Sequence, residues 1–402
     1  MKLRAGYPLT VFACAIVTCS SSGCGPNNAG PNPDIAEASS ALTNAGTTGS
    51  TSQTQGTAAP GQASAQQPTA ALAAWRAHMR ATLPHELGCH YAANFDAAWQ
   101  KVSCGTSTVP PRPMSGDQIN GWMARTTAAA GMTSAVGSFP GASGITKEFT
   151  LQPGGSESSN QYSLQVNTDS WFGSSTCSGA HVPANCWAWQ QFIYDTGAKQ
   201  VYMQYWLGRY NNTCPAGPPA WNTYTVPGNT TCHVTADCPG GQICSAGACE
   251  EIRCWRNSTP YSNVPVQSLS SLGSVELAGW IDVGSPSLDY AILSTAGGIY
   301  STDEVDSVLG LQGNWSFAEF NLVGDCCMSE AIFNWGASLP VQIVINDGTT
   351  NAPGCLAGGE TGETNNLLSM SCSASGGTNP QISFPQPFNY AAGVNPLGIA
   401  VF

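Results

Sequence analysis

Basic residues are the scarcest feature of this 402-residue sequence, which has 12 Lys and Arg against 24 Asp and Glu and a net charge of −12. After Arg256 the chain contains no Lys, Arg or His, although the same stretch holds twelve Asp and Glu. Such a stretch repels phosphate-bearing surfaces, so nucleic acid and anionic membranes are poor partners for it, and we expect no nucleic-acid partner. Repulsion among these carboxylates weakens on protonation, so we expect the protein to tolerate mild acid.

Long helices are also missing from the sequence pattern, because 45 Gly and 27 Pro interrupt it. The pattern predicts one convincing amphipathic helix over residues 70–82. We assign 71–110 to a short segment that holds this helix and the Cys89–Cys104 region. The rest contains short runs that alternate apolar and polar residues, the period of half-buried strands. Evenly spaced turns predict an all-β antiparallel sandwich over residues 111–402. The clearest predicted strands are Gln161–Asn167, Trp187–Tyr194, Gln200–Leu207, Ser274–Val283, Asp289–Leu293, Phe317–Val323 and Val341–Ile345.

Residues 1–24 have the pattern of an export signal. Lys2 and Arg4 supply the charged start, and the apolar run Leu9–Val17 is too short to span a bilayer. The run is followed by small residues and by Ser-Gly-Cys, which resembles a bacterial lipobox and predicts lipidation of Cys24. The alternative is an ordinary cleaved signal in which Cys24 has no role.

Residues 25–70 lack large apolar side chains almost entirely. Such a segment cannot bury enough surface to fold, so we predict a flexible tether. Together with the export signal, it predicts an extracellular protein or one held at the outer cell surface. In that case the membrane would be contacted only through the lipid anchor.

Cysteine is plentiful, with 17 residues, and three of them fall in the export segment. An even set of fourteen in an exported chain favours disulfides. The spacing suggests three local pairs, Cys89–Cys104, Cys177–Cys186 and Cys355–Cys372. The adjacent Cys326 and Cys327 either bond to each other or pair elsewhere.

Residues 228–252 are rich in Cys and poor in apolar residues, as in a small inserted module held by two bridges. First-to-third and second-to-fourth pairing gives Cys232–Cys244 and Cys238–Cys249. Cys214 and Cys254 bracket the module and are expected to close a loop of the main domain. A zinc site is disfavoured because these four cysteines include no C-x2-C pair and the compartment is oxidising.

Common catalytic motifs are absent. The sequence has no G-x-S-x-G, no phosphate-binding loop and no G-x-G-x-x-G after a strand. His85, Glu86 and His90 miss the H-E-x-x-H spacing by one residue. We therefore expect neither a serine hydrolase nor a zinc hydrolase, and no metal or cofactor.

Two segments carry candidate chemistry. In Cys186–Asp195 the aromatic residues alternate with Gln, and Gln190 and Gln191 point to opposite faces of the predicted strand. In Asn314–Gly336, Glu319 lies mid-strand between Ala and Phe with no cation near it in sequence. A strand carboxylate flanked in this way faces either solvent or a cleft.

These segments resemble the glutamic peptidases, the eqolisin family. The resemblance covers roughly residues 161–347 and consists of an apolar-x-apolar-Gln strand, a Tyr- and Trp-rich strand, and Ala-Glu-aromatic followed by an Asp six residues after the Glu. It implies an acid-acting endopeptidase on a concanavalin-like sandwich. Glu319 would be the general base and Gln190 the oxyanion donor. The alternative glutamines are Gln165, Gln191 and Gln204.

A binding module without catalysis is the competing hypothesis. Trp189, Tyr205 and Trp206 would then stack on sugar rings, and amide side chains would bind hydroxyls. A surface-structural protein without a small ligand is a third possibility. The expected partner is a polypeptide or a glycan, and we expect a monomer.

Overall fold

The computed structural model describes residues 69–93, 98–107, 109–110, 119–151, 157–239, 242–324, 330–360 and 371–386. The predicted export segment, lipidation of Cys24 and residues 25–68 of the predicted tether lie outside the described residues. Cys326, Cys327 and the Asp at position 325 also lie outside them.

One α-helix, α1, occurs in the described part of the chain and spans Ala70–Ala81. Short 3-10 turns lie at Ser175–Gly179, Pro183–Asn185, Thr235–Asp237, Leu269–Ser274 and Asp306–Val308. The strands, in chain order, are β1 Cys89–Ala93, β2 Gln100–Val102, β3 Ile119–Arg125, β4 Ser134–Ser138, β5 Glu148–Leu151, β6 Glu157–Ser159, β7 Tyr162–Thr168, β8 Trp171–Phe172, β9 Trp187–Asp195, β10 Gln200–Gly208, β11 Asn222–Thr231, β12 Ile243–Ser245, β13 Ala248–Asn257, β14 Tyr261–Ser262, β15 Glu276–Asp282, β16 Leu288–Ser294, β17 Gly298–Val305, β18 Phe317–Gly324, β19 Glu330–Phe333, β20 Val341–Asn346, β21 Gly354–Glu360, β22 Ser373–Ser375 and β23 Gln381–Phe384.

Two large antiparallel sheets face each other. Sheet 1 has the order β2-β1-β17-β16-β15-β4-β20-β23-β22. Sheet 2 has the order β11-β13-β10-β9-β7-β18-β3-β21, with β8, β12 and β14 paired at its sides. A small third sheet, β19-β5-β6, completes the described strands. This architecture confirms the predicted all-β antiparallel sandwich, and all seven predicted strands are present.

The core lies between sheets 1 and 2 and is filled by alternate residues of their strands. The sheets approach so closely at one point that only glycine fits. A Cβ added at Gly137 on β4 would lie 2.0 Å from Cγ of Phe320 on β18. Phe320 is buried and also contacts Phe139, with 4.8 Å between ring centroids. This contact fixes β18, the strand that carries Glu319, against sheet 1.

Helix α1 covers the outer side of sheet 1. The Thr69 hydroxyl accepts a hydrogen bond from Leu72 N and caps the helix. Arg76 is fully buried and donates to the carbonyls of Ser274 and Thr295 at 2.8 and 2.6 Å. It also pairs with Glu276 at 3.3 Å. Glu276, a carboxylate of the stretch after Arg256, is therefore paired with a cation from the N-terminal part of the chain.

Within the described residues, no helix is both long enough and apolar enough to cross a membrane.

Six disulfides cross-link the fold. They are the three local pairs that the spacing suggested, the two bridges expected in the Cys-rich module and the Cys214–Cys254 pair that brackets it. The Cys-rich insert includes the end of β11, all of β12 and the start of β13, and β12 pairs with that start of β13. Sulfur atoms of Cys232, Cys238 and Cys249 lie within 4.8 Å of one another. Each of them is already in a disulfide, so none is a thiolate that could bind zinc. The disulfides indicate an oxidising environment.

Candidate functional site

Polar side chains form a row across five neighbouring strands of sheet 2. The register pairs Glu319 with Asn167, Asn167 with Gln191, Gln191 with Gln204, and Gln204 with Asn257. Residues opposite each other in a sheet share a face, so all five lie on one face of sheet 2, the face turned away from sheet 1. We call these five residues the polar row.

Hydrogen bonds connect one end of the polar row. Asn167 Nδ2 donates to Glu319 Oε2 at 3.3 Å. Gln191 Nε2 donates to Asn167 Oδ1 at 3.2 Å and to Gln165 Oε1 at 2.9 Å. Glu319 and Gln191 are therefore joined through a single intervening amide. Glu319 is 8% exposed and Gln191 2%, so this end of the row is largely shielded from water.

Trp206 fixes the orientation of the two glutamines. Its indole Nε1 donates to Gln191 Oε1 at 3.2 Å and to Gln204 Oε1 at 3.1 Å. An indole nitrogen is a donor only, so it requires both amide oxygens to point toward it. The Gln191 amide nitrogen consequently points the other way, toward Asn167 and Glu319. An N–H group is thus presented on the side where the carboxylate lies.

The start of β18 is held in place by a second carboxylate. Asp169 Oδ1 accepts from the backbone N–H of Ser316 at 2.9 Å and of Phe317 at 3.2 Å. Burial raises the pKa of Asp169, while these two hydrogen bonds act against the increase. Asp169 therefore positions the strand two residues before Glu319, and its Oδ1 is already used by backbone donors.

Gln190, the predicted oxyanion donor, is not on this face. It is fully buried between the sheets and donates to Asp289 Oδ2 on β16 at 3.0 Å. Gln190 and Glu319 thus lie on opposite faces of sheet 2, and the predicted pairing of these two residues is wrong. The reason is strand parity, because Gln191 and not Gln190 is in register with Asn167 and Glu319.

Asp289 places an acidic side chain in the core. The residue is fully buried, and its pKa is raised well above the usual range, first by desolvation and then by the nearby Asp306 carboxylate. The hydrogen bond from Gln190 opposes that increase. Gln190 thus has a structural role in the described geometry, which is to hold a buried carboxyl of sheet 1.

The three aromatic residues predicted to bind sugars do not share one face of sheet 2, because side chains alternate between the two faces along each strand. Tyr205 belongs to the core between the sheets and is fully buried. Trp189 and Trp206 lie on the face of the polar row but expose only 3% and 1%. Their rings and that of Trp255 form a ribbon with successive centroids 6.3 Å apart. Stacking on a sugar requires an exposed ring, which neither Trp189 nor Trp206 provides in this conformation.

Asn167 and Asn257 were not predicted as site residues. The alternation of Ser163, Gln165 and Asn167 along β7 is the signal that points to a polar face there. The alternative glutamines Gln165 and Gln204 lie on the same face of sheet 2 as Glu319, and both belong to its hydrogen-bond network.

The histidines near the N-terminus do not form a metal site with each other. Instead His85 pairs with Asp282 at 2.8 Å, and His90 lies 3.5 Å from Asp303.

Comparisons with protein families, with curated proteins and with solved structures found no match for this chain.

Proposed function

We propose that this protein is an acid-acting endopeptidase in which Glu319 is the general base and Gln191 the oxyanion donor. The observation that supports the proposal is the register that aligns Glu319, Asn167 and Gln191 on one face. A carboxylate ionises in mild acid, and amides stay neutral there. A site built from these groups therefore works at a pH where a histidine base would be protonated.

The reaction would proceed by attack of water on a peptide carbonyl. Glu319 removes a proton from the water, whose oxygen bonds to the carbonyl carbon while the carbonyl electron pair moves onto its oxygen. The Gln191 N–H donates to the resulting oxyanion. Protonated Glu319 then passes its proton to the amide nitrogen, and the C–N bond breaks as the oxyanion electron pair re-forms the C=O bond, which releases a carboxylic acid and an amine. Glu319 thus returns to its ionised form, and the reaction consumes only water.

Asn167 would be a positioning residue in this scheme. Its Nδ2 holds Glu319 Oε2, and its Oδ1 accepts the longer of the two Gln191 hydrogen bonds, 3.2 Å against 2.9 Å. The substrate oxygen would replace Asn167 as the acceptor for Gln191, while the bond to Gln165 keeps the amide in place.

The setting proposed for this activity is the outer cell surface, with the chain anchored through a lipid on Cys24. Disulfides are consistent with an oxidising compartment on the outside of a cell. Binding of glycans without catalysis remains the alternative function. The three aromatic residues predicted for it are buried, Trp189 and Trp206 on the face of the polar row and Tyr205 in the core.

The test is digestion of casein between about pH 2 and pH 5 by the wild type and by single variants. Glu319→Gln should lower kcat/KM by about 10²- to 10⁴-fold, the usual effect of losing a general base. Gln191→Ala should lower kcat by about 10²- to 10³-fold, as expected for an oxyanion donor. Gln312→Ala, an exposed glutamine outside the row, is the matched control and should retain full activity.

Equal activity of the wild type and Glu319→Gln would refute the mechanism. If Gln190→Ala abolished activity with its fold intact while Gln191→Ala did not, the assignment of the donor to Gln191 would be wrong. A wild type without activity that binds oligosaccharides would favour the alternative.

A further inference from the structure

A segment of the chain itself lies on the face that carries the polar row. It begins at Cys104, which is tied to β1 by the Cys89–Cys104 disulfide. We call residues 104–107 and 109–110 the strap. Gly105 anchors its start, because Gly105 N donates to Pro260 O at 2.9 Å. A Cβ at Gly105 would lie 1.8 Å from Ser262 Oγ, so the strap is seated directly on the sheet.

The strap is bound through its backbone by side-chain amides. Gln200 Nε2 donates to Thr106 O at 3.2 Å, and Asn257 Nδ2 donates to Val109 O at 3.0 Å. Gln204 Nε2 makes a longer contact of 3.5 Å with Pro110 O. Amides that bind backbone carbonyls recognise an extended peptide whatever its sequence, which is the mode that a broad polypeptide site requires.

One strap side chain occupies an apolar subsite. Val109 is 6% exposed and packs on Ile193 of β9 and Tyr202 of β10. Ser107 Oγ accepts a further hydrogen bond from Asn257 Nδ2 at 2.8 Å. The subsite thus takes an aliphatic side chain, while the neighbouring amides take the backbone on either side of it.

The strap site is continuous with the polar row. Gln204 Nε2 donates to Asn257 Oδ1 at 2.7 Å, and Trp206 links Gln204 to Gln191. Glu319 on β18 lies three strand spacings from β10, about 14 Å, or about four residues of extended chain. A peptide held where the strap lies would reach the Glu319 end of the row within that length.

We infer that the strap occupies a binding site for extended polypeptide and competes with external peptides for it. Ile193 and Tyr202 then form a subsite for an aliphatic residue, about four residues from the bond to be cut. The role of this peptide as a substrate rests on the proposed function. The competition between strap and peptide does not, and it can be measured without catalysis.

The experiment measures binding of a fluorescein-labelled synthetic peptide with the sequence of residues 105–110, by fluorescence anisotropy. The full chain carries Glu319→Gln, so that no peptide is consumed. Val109→Asn should weaken the strap and lower the Kd for the peptide by at least about 10-fold, equivalent to about 1.4 kcal/mol. Val283→Asn, at a 57% exposed valine away from the strap, is the matched control and should leave the Kd unchanged.

The Kd for the peptide is also measured with two further variants. Ser107→Ala removes one strap hydrogen bond and should also tighten peptide binding, which covers the case that Val109→Asn does not fold. Adding Asn257→Leu to Val109→Asn should abolish the gain. Equal Kd values, within about twofold, for the wild-type strap and both strap variants would overturn the inference. Tight peptide binding, together with no casein digestion by a Val109→Asn chain that keeps Glu319, would sustain the inference while refuting the peptidase.

Discussion

Replacement of the buried Asp289 by Asn should change how the stability of the protein depends on pH. Asp289 is fully buried, accepts a hydrogen bond from Gln190 and lies near Asp306. Desolvation and the Asp306 carboxylate raise its pKa well above the usual range. The variant removes this titration and keeps the shape of the side chain.

The size of the effect follows from proton linkage. Above the ordinary Asp pKa of about 3.9, unfolded chains lose this proton while the folded protein still binds it. The free energy of unfolding therefore falls by about 1.4 kcal/mol per pH unit as the pH rises toward the folded-state pKa. The stabilisation is fully present below the unfolded pKa and is lost as the pH rises through the folded one. Asp289→Asn should lack this slope.

The assay is urea unfolding of the wild type and Asp289→Asn across a series of pH values. We expect the wild type to gain stability relative to the variant as the pH falls, by up to about 1.4 kcal/mol per unit. At neutral pH the variant should be the more stable of the two, because the folded wild type must either keep a proton that the unfolded chain has lost or bury a charge, and the variant does neither. Parallel pH profiles for the two proteins would refute the reasoning, since they would show that Asp289 has the same pKa in both states.

Two further predictions concern the packing of the sandwich. Arg76→Met removes the buried cation that docks α1 and should lower the free energy of unfolding by about 3 kcal/mol. Arg80→Met, at a partly exposed partner of the same Glu276 carboxylate, should lower it by about 1 kcal/mol or less. Urea unfolding gives both values, and equal losses would contradict the docking role of Arg76. Gly137→Ala should lower the free energy of unfolding by about 1–3 kcal/mol, because its methyl group would overlap Phe320. Adding Phe320→Leu should restore part of the loss in Tm. An unchanged Tm in the single variant would contradict the close contact.

Local features were predictable from the sequence. The six disulfides join cysteines at most 40 residues apart. Spacing suggested the three local pairs, and the pattern of a small two-bridge module suggested the other three. The strand Val341–Asn346 alternates buried and half-exposed residues as its sequence does. Helix α1 begins at a capping Thr and was equally visible.

The face that carries Glu319 was not predictable. In β9 every residue after Trp187 is buried, on both faces of the sheet, so alternation gives no sign of which side meets sheet 1. The position of Gln190 depends on Asp289, 99 residues away, and that of Glu319 on Asn167, 152 residues away. Such registers are set by tertiary contacts, which one sequence does not reveal.

The Cys-rich insert shares a strand with sheet 2, and this has a mechanical consequence. Strand β13 pairs with β12 of the insert at its start and with β10 at its end, without a break. Ten extended residues form an unbroken bar of about 33 Å. A force or a bulky partner applied at the tip of the insert would therefore be transmitted along this bar to Asn257. A tag grafted at the tip would report the orientation of the whole sandwich.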